Sequence, residues 1–557
     1  MSATAEATPG RPAGPATGSQ ATASPASPAT ASPASPAMAS PASPATASPG
    51  ISMLLGLGLA TWMEFYTSDG VNLVLPDMAG TLGLSQDQAS WILTTYLSAL
   101  FFGVPLSIWM AGHVGYRRYI IASTAVYAAT SVGCAMAPDV TTLLIWRAIQ
   151  GFAGAGLTMW WRAGIYIVMP VPQRSQSMSR VSVMLYLATA AGLLFCGTVT
   201  DNFNWRLIFL PNVAVAVIAI RLLHRYFPDL PRPEDARTKA VDKLGILLLG
   251  IAVVALQTVL SRGEIDDWFG SGRIQLLTWI GLIALLLFAT WQLSARNATP
   301  LLHLRLLADR NVLAAISLGL FAGIILTGSL YALPEFLRNV FPWRLSATQA
   351  GRIMCAYALT AAMIRPLVSR GIARFGQRKA IAFAFTMLVL SMMLFARLMT
   401  TGTPDIYYML PLVLYAFCLA PMLSAIASGT VGKLPLGQQL DAVAIYMSFR
   451  QFGASFGVTL VNILLNWRES LHSTRLYENL TATGVRTSAW MNQAAHFAVA
   501  RAGASPADAQ HMALGLLSHA AAGQAETLAY ADAFVFMAAI GLAALCFVPL
   551  MSPRAKK

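Results

Sequence analysis

Apolar segments of about 20 residues alternate with short polar stretches along nearly the whole chain from Ile51 onward. A helix needs about 20 apolar residues to cross the hydrocarbon core of a bilayer, so each segment predicts one membrane-spanning helix. The pattern predicts fourteen such helices, at residues 52–76, 90–111, 119–137, 141–165, 180–200, 205–224, 243–261, 274–294, 311–335, 347–370, 380–399, 406–430, 441–466 and 529–550.

The overall composition agrees with this pattern. Hydrophobic residues make up 56% of the 557 residues and charged residues only 11%, which is too apolar for a soluble protein of this length. The expected fold class is therefore an all-α, polytopic membrane protein. The net charge of +14 comes from Lys and Arg clusters between apolar runs, so nucleic-acid binding is not expected. All five cysteines lie in apolar segments, which predicts neither a disulfide framework nor a metal site.

The arrangement of the segments predicts five regions. Residues 1–50 are Ala-, Ser- and Pro-rich and repetitive, which is typical of a disordered tail, here expected in the cytoplasm. The other regions are a six-helix bundle at 51–225, a central linker with two inserted membrane helices at 226–305, a second six-helix bundle at 306–550, and a basic cytoplasmic tail at 551–557.

The positions of the basic residues predict the orientation in the membrane. Clusters at Arg117–Arg118, Arg225–Lys243, Arg296–Arg310 and Arg370–Lys379 all follow even-numbered helices. Cytoplasmic loops are rich in Lys and Arg, so both termini are expected in the cytoplasm. The acidic residues Glu264, Asp266 and Asp267 and the long segment 467–528 then fall outside. That segment is either a solvated amphipathic cap or a docking surface for a partner.

A repeated loop motif indicates internal duplication. Gly115, Arg117 and Arg118 follow helix 2, and Gly376, Arg378 and Lys379 occupy the matching positions after helix 10. A glycine turn followed by a basic pair joins two helices tightly and holds the loop on the cytoplasmic side. Duplicated halves joined by a basic hinge are typical of secondary transporters.

The fourth predicted helix carries a charge within an apolar, glycine-rich sequence. Arg147 is followed by Gln150 on roughly the same helical face, and by Gly151, Gly154 and Gly156. An intramembrane Arg is costly unless it faces a partner or a water-filled cavity, which makes it a candidate functional residue. The alternative is an Arg near a helix end that extends to the lipid headgroups. The glycines predict close packing of a neighbouring helix.

These residues resemble the major facilitator superfamily, in its fourteen-helix EmrB/QacA-type branch of drug:proton antiporters. The resemblance extends from Trp62 to Pro549 and rests on several short motifs. They are Asn72–Pro76, Ser90-Trp91 with Tyr96, Arg147 with Gln150 and Gly151, Asp201–Arg206, and Leu256–Phe269, the last between the two inserted helices.

The resemblance implies a fold of two six-helix bundles with two extra central helices, and proton-coupled export of amphipathic compounds from the inner membrane. It also implies a periplasmic adaptor and an outer-membrane channel as partners. Two departures affect the coupling chemistry. Thr67 stands where the branch usually has Asp, and the helix 5 antiporter motif is reduced to Gly192-Leu193 and Cys196-Gly197.

Proton coupling needs a carboxylate whose exposure alternates between the two sides of the membrane, and helix 1 offers Glu64 and Asp69. At about 100° per residue they point about 140° apart, so a shared paired-carboxylate site is not expected. Contact with Arg147 would make either a poor proton carrier until the pair separates, and that separation could be the coupling step. A purely structural ion pair with Arg147 and direct contact with substrate are the alternatives.

Substrate-cavity candidates come from both halves. Aromatic and methionine side chains offer an adaptable apolar lining, although Trp and Tyr near helix ends are often interfacial belt residues. The cation at Arg450, well inside helix 13, would suit an anionic amphipath. Glu335 is expected at the mouth rather than in the binding site. The candidates are Trp62, Tyr66, Asn72, Gln150, Met159, Trp160, Arg450 and Glu335.

The leading prediction is an inner-membrane exporter driven by the proton gradient. The alternatives are a dedicated exporter or permease for one metabolite, such as an organic acid, a fatty acid or a siderophore, and a membrane sensor or scaffold without transport. The sequence contains no phosphate-binding loop of the Gly-x-x-x-x-Gly-Lys-Ser/Thr type and no grouped catalytic or cofactor motif, so neither an enzyme nor a cofactor is expected.

Overall fold

The structure is a computed structural model, and it describes residues 50–229, 242–263, 266–297, 299–340, 345–400, 402–431, 436–480, 484–503 and 505–551. The predicted tail at 1–50 therefore lies outside the described residues except for Gly50, the predicted basic tail at 551–557 lies outside them except for Met551, and Glu264 lies outside them as well.

The first half of the described chain forms six long helices. They are α1 (Ile51–Leu82), α2 (Gln86–Val114), α3 (Tyr116–Met136), α4 (Val140–Val168), α5 (Val171–Asn202) and α6 (Pro211–Tyr226), with a short 3-10 helix at Trp205–Phe209 before α6. The side on which α1, α3 and α5 end is called the far side, and the opposite side the near side. Two contacts lie on the far side. The indole of Trp205 donates to Thr81 at 2.7 Å, and Arg206 donates to the carbonyl of Ala137 at 3.2 Å.

The second half adds nine helices to the described fold. They are α7 (Lys243–Arg262), α8 (Gly272–Leu293), α9 (Arg310–Glu335), α10 (Ala347–Phe375), α11 (Gln377–Leu398), α12 (Met409–Val431), α13 (Leu436–Asn479), α14 (Val485–Ala502) and α15 (Pro506–Leu545). The described residues contain no strand, which confirms the predicted all-α class.

Each of the fourteen predicted spans coincides with one of these helices. Ten helices of the described chain are long and apolar enough to cross a membrane, which is consistent with fourteen spans without establishing that number. The four predicted spans outside those ten are α1, α4, α10 and α13. Each of these helices carries charged residues within the predicted span, Glu64 and Asp69 on α1, Arg147 on α4, Arg352 and Arg365 on α10 and Arg450 on α13, which lowers the hydropathy of the segments.

The described residues of the predicted loop at 467–528 are mostly helical. Helix α13 continues to Asn479, α14 follows, and α15 begins at Pro506 rather than near residue 529. The side chain of Ser505 accepts from the backbone N–H of Asp508 and starts α15 early, because this cap satisfies an N–H group that would otherwise lack a partner. The part of α13 after residue 466, helix α14 and the part of α15 before residue 529 are called the projecting helices. Asp532 on α15 binds Arg468 at 2.6 Å and His472 at 2.7 Å, both on α13, and so joins α13 to α15 at the base of this segment.

The duplicated loop motif has the same backbone geometry in both halves. Gly115 between α2 and α3 has φ of 99°, and Gly376 between α10 and α11 has φ of 85°, a region that favours glycine. The preceding helices also start alike, with capping boxes at Ser85 and Ser346. Of the predicted basic residues, Arg117 binds Asp229 at 3.4 Å and the carbonyl of His224, while Arg378 is half-buried and Arg118 and Lys379 are exposed.

Close helix contacts occur where the sequence predicts small-residue packing. A Cβ at Gly151 on α4 would meet the carbonyl of Tyr96 on α2, and one at Gly192 on α5 would meet the backbone of Tyr66 on α1. Gly197 on α5 lies against Ala347, which joins the two bundles along the α5–α10 contact. These helix pairs can approach only because the side chain is missing.

The two inserted helices are fastened at the start of α7. Asp242 accepts from Trp291 at 2.7 Å, Gln292 at 2.7 Å, Asn297 at 2.9 Å and the backbone of Gly245 at 2.8 Å. Burial opposes the charged carboxylate, but these hydrogen bonds outweigh it and hold the pKa of Asp242 below its usual range.

Farther along α7, Gln257 accepts from Ser455 of α13 at 2.9 Å and donates to Thr459 at 3.3 Å. Ser455 in turn lies 3.2 Å from Ser98 of α2. Helix α7 of the inserted pair thus binds α13 through Gln257 and also packs against α2.

Candidate functional site

A cavity of about 110 Å³ lies between the two bundles. It is lined by eight helices, four from each bundle, which is the arrangement expected if the bundles move around a central site. Its lining residues are Glu64, Phe65, Ser68, Asp69, Asn72, Leu97, Thr158, Arg162, Tyr186, Thr189, Leu326, Thr327, Leu330, Tyr357, Leu419, Arg450 and Gln451. Drug-sized sites enclose about 300–1,000 Å³, so a larger ligand requires the bundles to separate.

The two carboxylates of α1 have different surroundings in this cavity. Asp69 accepts a hydrogen bond from Thr189 of α5 at 2.8 Å and lies near Tyr357 of α10, whose buried hydroxyl makes no hydrogen bond within the described chain. Glu64 is 7% exposed and interacts electrostatically with Arg450 and Arg162. Among the described residues, no cationic group lies within ion-pair distance of either carboxylate.

Two arginines supply positive charge to the same cavity. Arg162 of α4 makes only long contacts, at 3.4 Å to the carbonyl of Thr158 and 4.0 Å to the sulfur of Met447, and its guanidinium lies 4.2 Å from the centre of the Trp161 ring. Arg450 of α13 has a buried Nε atom without a hydrogen-bond partner. The cavity wall therefore presents donors that are not fully satisfied by the protein.

Arg147 lies outside this cavity, in the core of the first bundle. It donates to Gln150 at 2.7 Å and to the carbonyl of Ile92 at 3.3 Å, and its guanidinium lies 4.2 Å from the centre of the Tyr96 ring. Gln150 continues the network by donating to Ser131 at 2.8 Å. The ion pair of Arg147 with Glu64 or Asp69, which the sequence left open as an alternative, is not formed in this structure, because neutral groups of α2 and α4 surround the guanidinium.

The network around Arg147 continues to α6 and α1. Asn212 of α6 donates to Ser131 at 3.0 Å and to Thr67 at 2.8 Å. Thr67 is therefore a hydrogen-bond acceptor in the bundle core. It stands at the position where the EmrB/QacA-type branch, which this sequence resembles, usually has Asp. The chain of polar contacts joins helices α1, α3, α4 and α6.

On the far side, two contacts join the bundles. Arg338, just after α9, binds Asp77 of α1 through both guanidinium Nη atoms, one of them at 2.7 Å to Oδ1, and donates to the carbonyl of Leu73 at 3.1 Å. Asp201 of α5 accepts from the backbone N–H groups of Ala347 at 3.1 Å and Thr348 at 2.7 Å. A carboxylate at the start of α10 is stabilised by these free N–H groups and by the helix dipole.

The structure brings only some of the predicted site residues together. Glu64, Asp69, Asn72 and Arg450 line the cavity. The two carboxylates share it despite their different directions on α1. The other candidates lie elsewhere in this structure, namely Trp62, Tyr66, Gln150, Met159, Trp160 and Glu335.

These other candidates are held by local packing. Tyr66 stacks on Trp62 with ring centroids 4.7 Å apart and donates to the carbonyl of Ile208 at 3.0 Å. Met159 and Trp160 are buried in the hydrophobic core. Glu335 is buried near the far side and accepts from Asn339 at 2.6 Å. An apolar or aromatic pattern identifies a buried face but not the neighbour that covers it.

Several lining residues were not identified from the sequence. Of these residues, Arg162 could most readily have been recognised, because it is a second cation within the predicted fourth helix. However, it lies near the predicted end of that helix, where an Arg is commonly an anchor to the lipid headgroups. Thr189 and Tyr357 carry no distinguishing local pattern. No group of His, Cys, Asp and Glu side chains in the described part of the chain could hold a metal ion.

The sequence was compared with known proteins. The family model of the Major Facilitator Superfamily matches residues 57–458. Multidrug export protein EmrB of Escherichia coli (strain K12) is 26% identical over 445 residues, covering 80% of this chain and 85% of the relative. The protein of that name from Haemophilus influenzae is 25% identical over 430 residues, covering 77% and 83%.

The fold was compared with solved structures. An auto-inhibited peptide transporter of the POT family superposes with a TM-score of 0.58 at 14% identity, covering 91% of this chain and 97% of that one. The proton:xylose symporter XylE gives a TM-score of 0.55 at 12% identity, covering 90% and 95%. At such low identity these likenesses concern the fold alone.

Proposed function

Because this chain belongs to the major facilitator superfamily, in its EmrB-type branch of drug transporters, we propose that it exports amphipathic organic compounds in exchange for protons. The family identifies a transporter and not an enzyme. The observation that carries the proposal is the cavity between the bundles, where Glu64 and Asp69 face residues of both halves. Ionisable groups within membrane helices are costly and typically line the path of a substrate or an ion.

In the proposed cycle the cavity opens alternately to the two sides of the membrane. The carboxylates of Glu64 and Asp69 are proposed to take up protons from the far side and to release them to the near side. Asp69 is hydrogen-bonded to Thr189 of its own bundle and shares the cavity lining with Tyr357 of the other bundle. A change in its protonation is therefore expected to alter a contact that spans the two moving parts.

The far-side contacts support alternating access. Asp77 with Arg338, and Asp201 with the start of α10, join the bundles on one side of the cavity. Both contacts must break before a substrate can leave there. We propose that the far side is the extracytoplasmic side of a bacterial inner membrane, with both termini in the cytoplasm.

We further propose that the projecting part of α13, helix α14 and the first half of α15 contact a periplasmic adaptor, which would connect to an outer-membrane channel. Large apolar side chains are exposed on this segment, including Trp467, Tyr477, Phe497 and Leu514. Exposed apolar side chains in a polar loop region are typical of a contact surface.

The test is substrate-evoked collapse of a pH gradient in inverted membrane vesicles. The intact protein should dissipate the gradient when a transported compound is added, while Glu64→Gln or Asp69→Asn should abolish this response because the variant group cannot carry a proton. Asp405→Asn is the matched control, since Asp405 is exposed at the start of a 3-10 helix away from the cavity. Substrate movement by the intact protein without any loss of the gradient would rule out proton exchange.

A further inference from the structure

The charges in the cavity are separated into two poles. The first, called the cationic pole, consists of Arg162, Arg450 and Glu64, which line the same cavity and interact electrostatically, although Glu64 also interacts with Asp69. The second, called the acidic pole, consists of Asp69 with its hydrogen-bond donor Thr189 and the neighbouring Tyr357. Asp69 follows Glu64 by five residues, so it lies about 7.5 Å farther along α1, toward the far side.

Each pole carries one uncompensated charge. In the cationic pole two guanidinium groups face a single carboxylate, which leaves a net charge of about +1 when all three are ionised. In the acidic pole no cationic group of the described chain lies within ion-pair distance of Asp69. Besides Arg162, Arg450 and Asp69, Glu64 is the only Asp, Glu, Lys, Arg or His residue among the described lining residues.

The cationic pole is short of hydrogen-bond acceptors. Arg450 has a buried Nε atom without a partner, and the hydrogen bond of Arg162 to Thr158 is long at 3.4 Å. A guanidinium presents donors in a planar fork that matches a carboxylate. An anionic group placed between these two arginines would therefore satisfy donors that the protein leaves open.

The rest of the lining is part polar and part apolar. The polar residues beyond the two poles are Ser68, Asn72, Thr158, Tyr186, Thr327 and Gln451. Phe65, Leu97, Leu326, Leu330 and Leu419 contribute apolar side chains from α1, α2, α9 and α12. This apolar surface suits a hydrocarbon or aromatic body attached to the charged groups.

We propose that the preferred substrates are zwitterionic amphipaths, with the acidic group bound between Arg162 and Arg450 and the amino group bound at Asp69. This inference rests on the proposed export function and specifies its substrate class. The two charged groups of the ligand should be separated by several bonds, to match the spacing of the two poles along α1.

The charge type of the substrate also decides whether it can exchange for protons. A proton on Asp69 removes the partner of the amino group, so proton and zwitterion compete for the site, as an antiporter requires. A purely anionic substrate has the opposite linkage, because a proton added to either carboxylate makes the cavity more positive and favours the anion. Such a substrate would move together with protons rather than against them.

The experiment measures binding to the full-length protein in lipid nanodiscs, with empty nanodiscs as the background. Three probes share one dodecyl chain: 4-(dodecyldimethylammonio)butanoate, dodecyltrimethylammonium and tridecanoate. We expect the zwitterion to bind at least about tenfold more tightly than either singly charged probe. Calorimetry in buffers of different ionisation enthalpy should also show proton release when the zwitterion binds at a pH where Asp69 is partly protonated.

Variants separate the two poles. Arg450→Gln should weaken binding of the zwitterion about tenfold and leave dodecyltrimethylammonium within about twofold, while Arg450→Lys should restore part of the loss. Asp69→Asn should weaken both the zwitterion and the cation. Arg352→Gln and Asp405→Asn are matched controls, since both residues are exposed and outside the cavity lining, and they should change nothing.

Two results would overturn the proposal: equal affinity of the intact protein for the zwitterion and the cation, or an equal loss for both probes in Arg450→Gln. The probe comparison on the intact protein gives the first answer even if a variant fails to fold. Selective zwitterion binding without gradient collapse in vesicles would leave the ligand inference standing and reject the proposed proton exchange. Gradient collapse driven only by the cation would support the proposed proton exchange and reject the ligand inference.

Discussion

At the scale of single residues, Arg147 is a structural centre whose charge depends on neutral partners. Gln150 accepts its strongest hydrogen bond at 2.7 Å and connects it to Ser131. Gln150→Leu leaves a buried guanidinium donor unsatisfied, so the free energy of unfolding should fall by about 2 kcal/mol. Titration with SDS in mixed micelles would measure the change. Gln493→Leu, at an exposed position on α14, should have no comparable effect, and an equal loss there would contradict the assigned role.

The same scale shows how far sequence reasoning reaches in the site. Glu64, Asp69 and Arg450 could be selected because a charge in an apolar helix is rare and costly. Their neighbours could not be selected, because helical periodicity gives the direction of a side chain and not the distance to another helix. Arg147 illustrates the limit: its burial follows from the sequence, but its partners Gln150 and Ile92 depend on how α4 packs on α2.

At the scale of helices, the start of α10 forms one of the two far-side contacts between the bundles. Asp201 accepts from the N–H groups of Ala347 and Thr348, and Asp201→Ala removes both acceptors. Backbone amides at residues 347–354 should then exchange hydrogen faster, by about tenfold, because the contact opens more often. Exchange followed by mass spectrometry would measure this. Unchanged exchange in these amides, with Asp405→Ala as control, would show that Asp201 does not hold the bundles together.

Helix positions were largely predictable and helix ends were not. Every predicted span falls on a helix because the length of an apolar run reflects the bilayer thickness. The extension of α13 to Asn479 lies in polar sequence and that of α15 back to Pro506 lies in alanine-rich sequence, and the hydropathy pattern marks neither as part of a span. Helix α14 lies in the same stretch. Caps such as Ser505 mark these ends, but a single Ser is too common to be recognised without the backbone geometry.

At the scale of the whole molecule, the cavity exists only because distant parts of the chain meet. Glu64 and Arg450 lie nearly four hundred positions apart and yet line one space. The family resemblance implied this general arrangement, but it did not identify Arg162 or Tyr357 as members of the lining. Contacts of this kind follow from the relative placement of two bundles, which no local pattern encodes.

The predicted orientation can be tested on the intact protein. In that orientation the projecting helices and the far-side contacts face outside, while the loop after α8 with Arg296 faces the cytoplasm. A cysteine at Asn492 should react with a membrane-impermeant maleimide in intact cells, whereas one at Arg296 should react only after the membrane is opened. Four of the native cysteines, Cys134, Cys196, Cys355 and Cys418, are buried, so a Cys546→Ser background keeps the native signal low. The opposite labelling pattern would reverse the proposed direction of export, because the contacts of Asp77 and Asp201 would then close the cytoplasmic side.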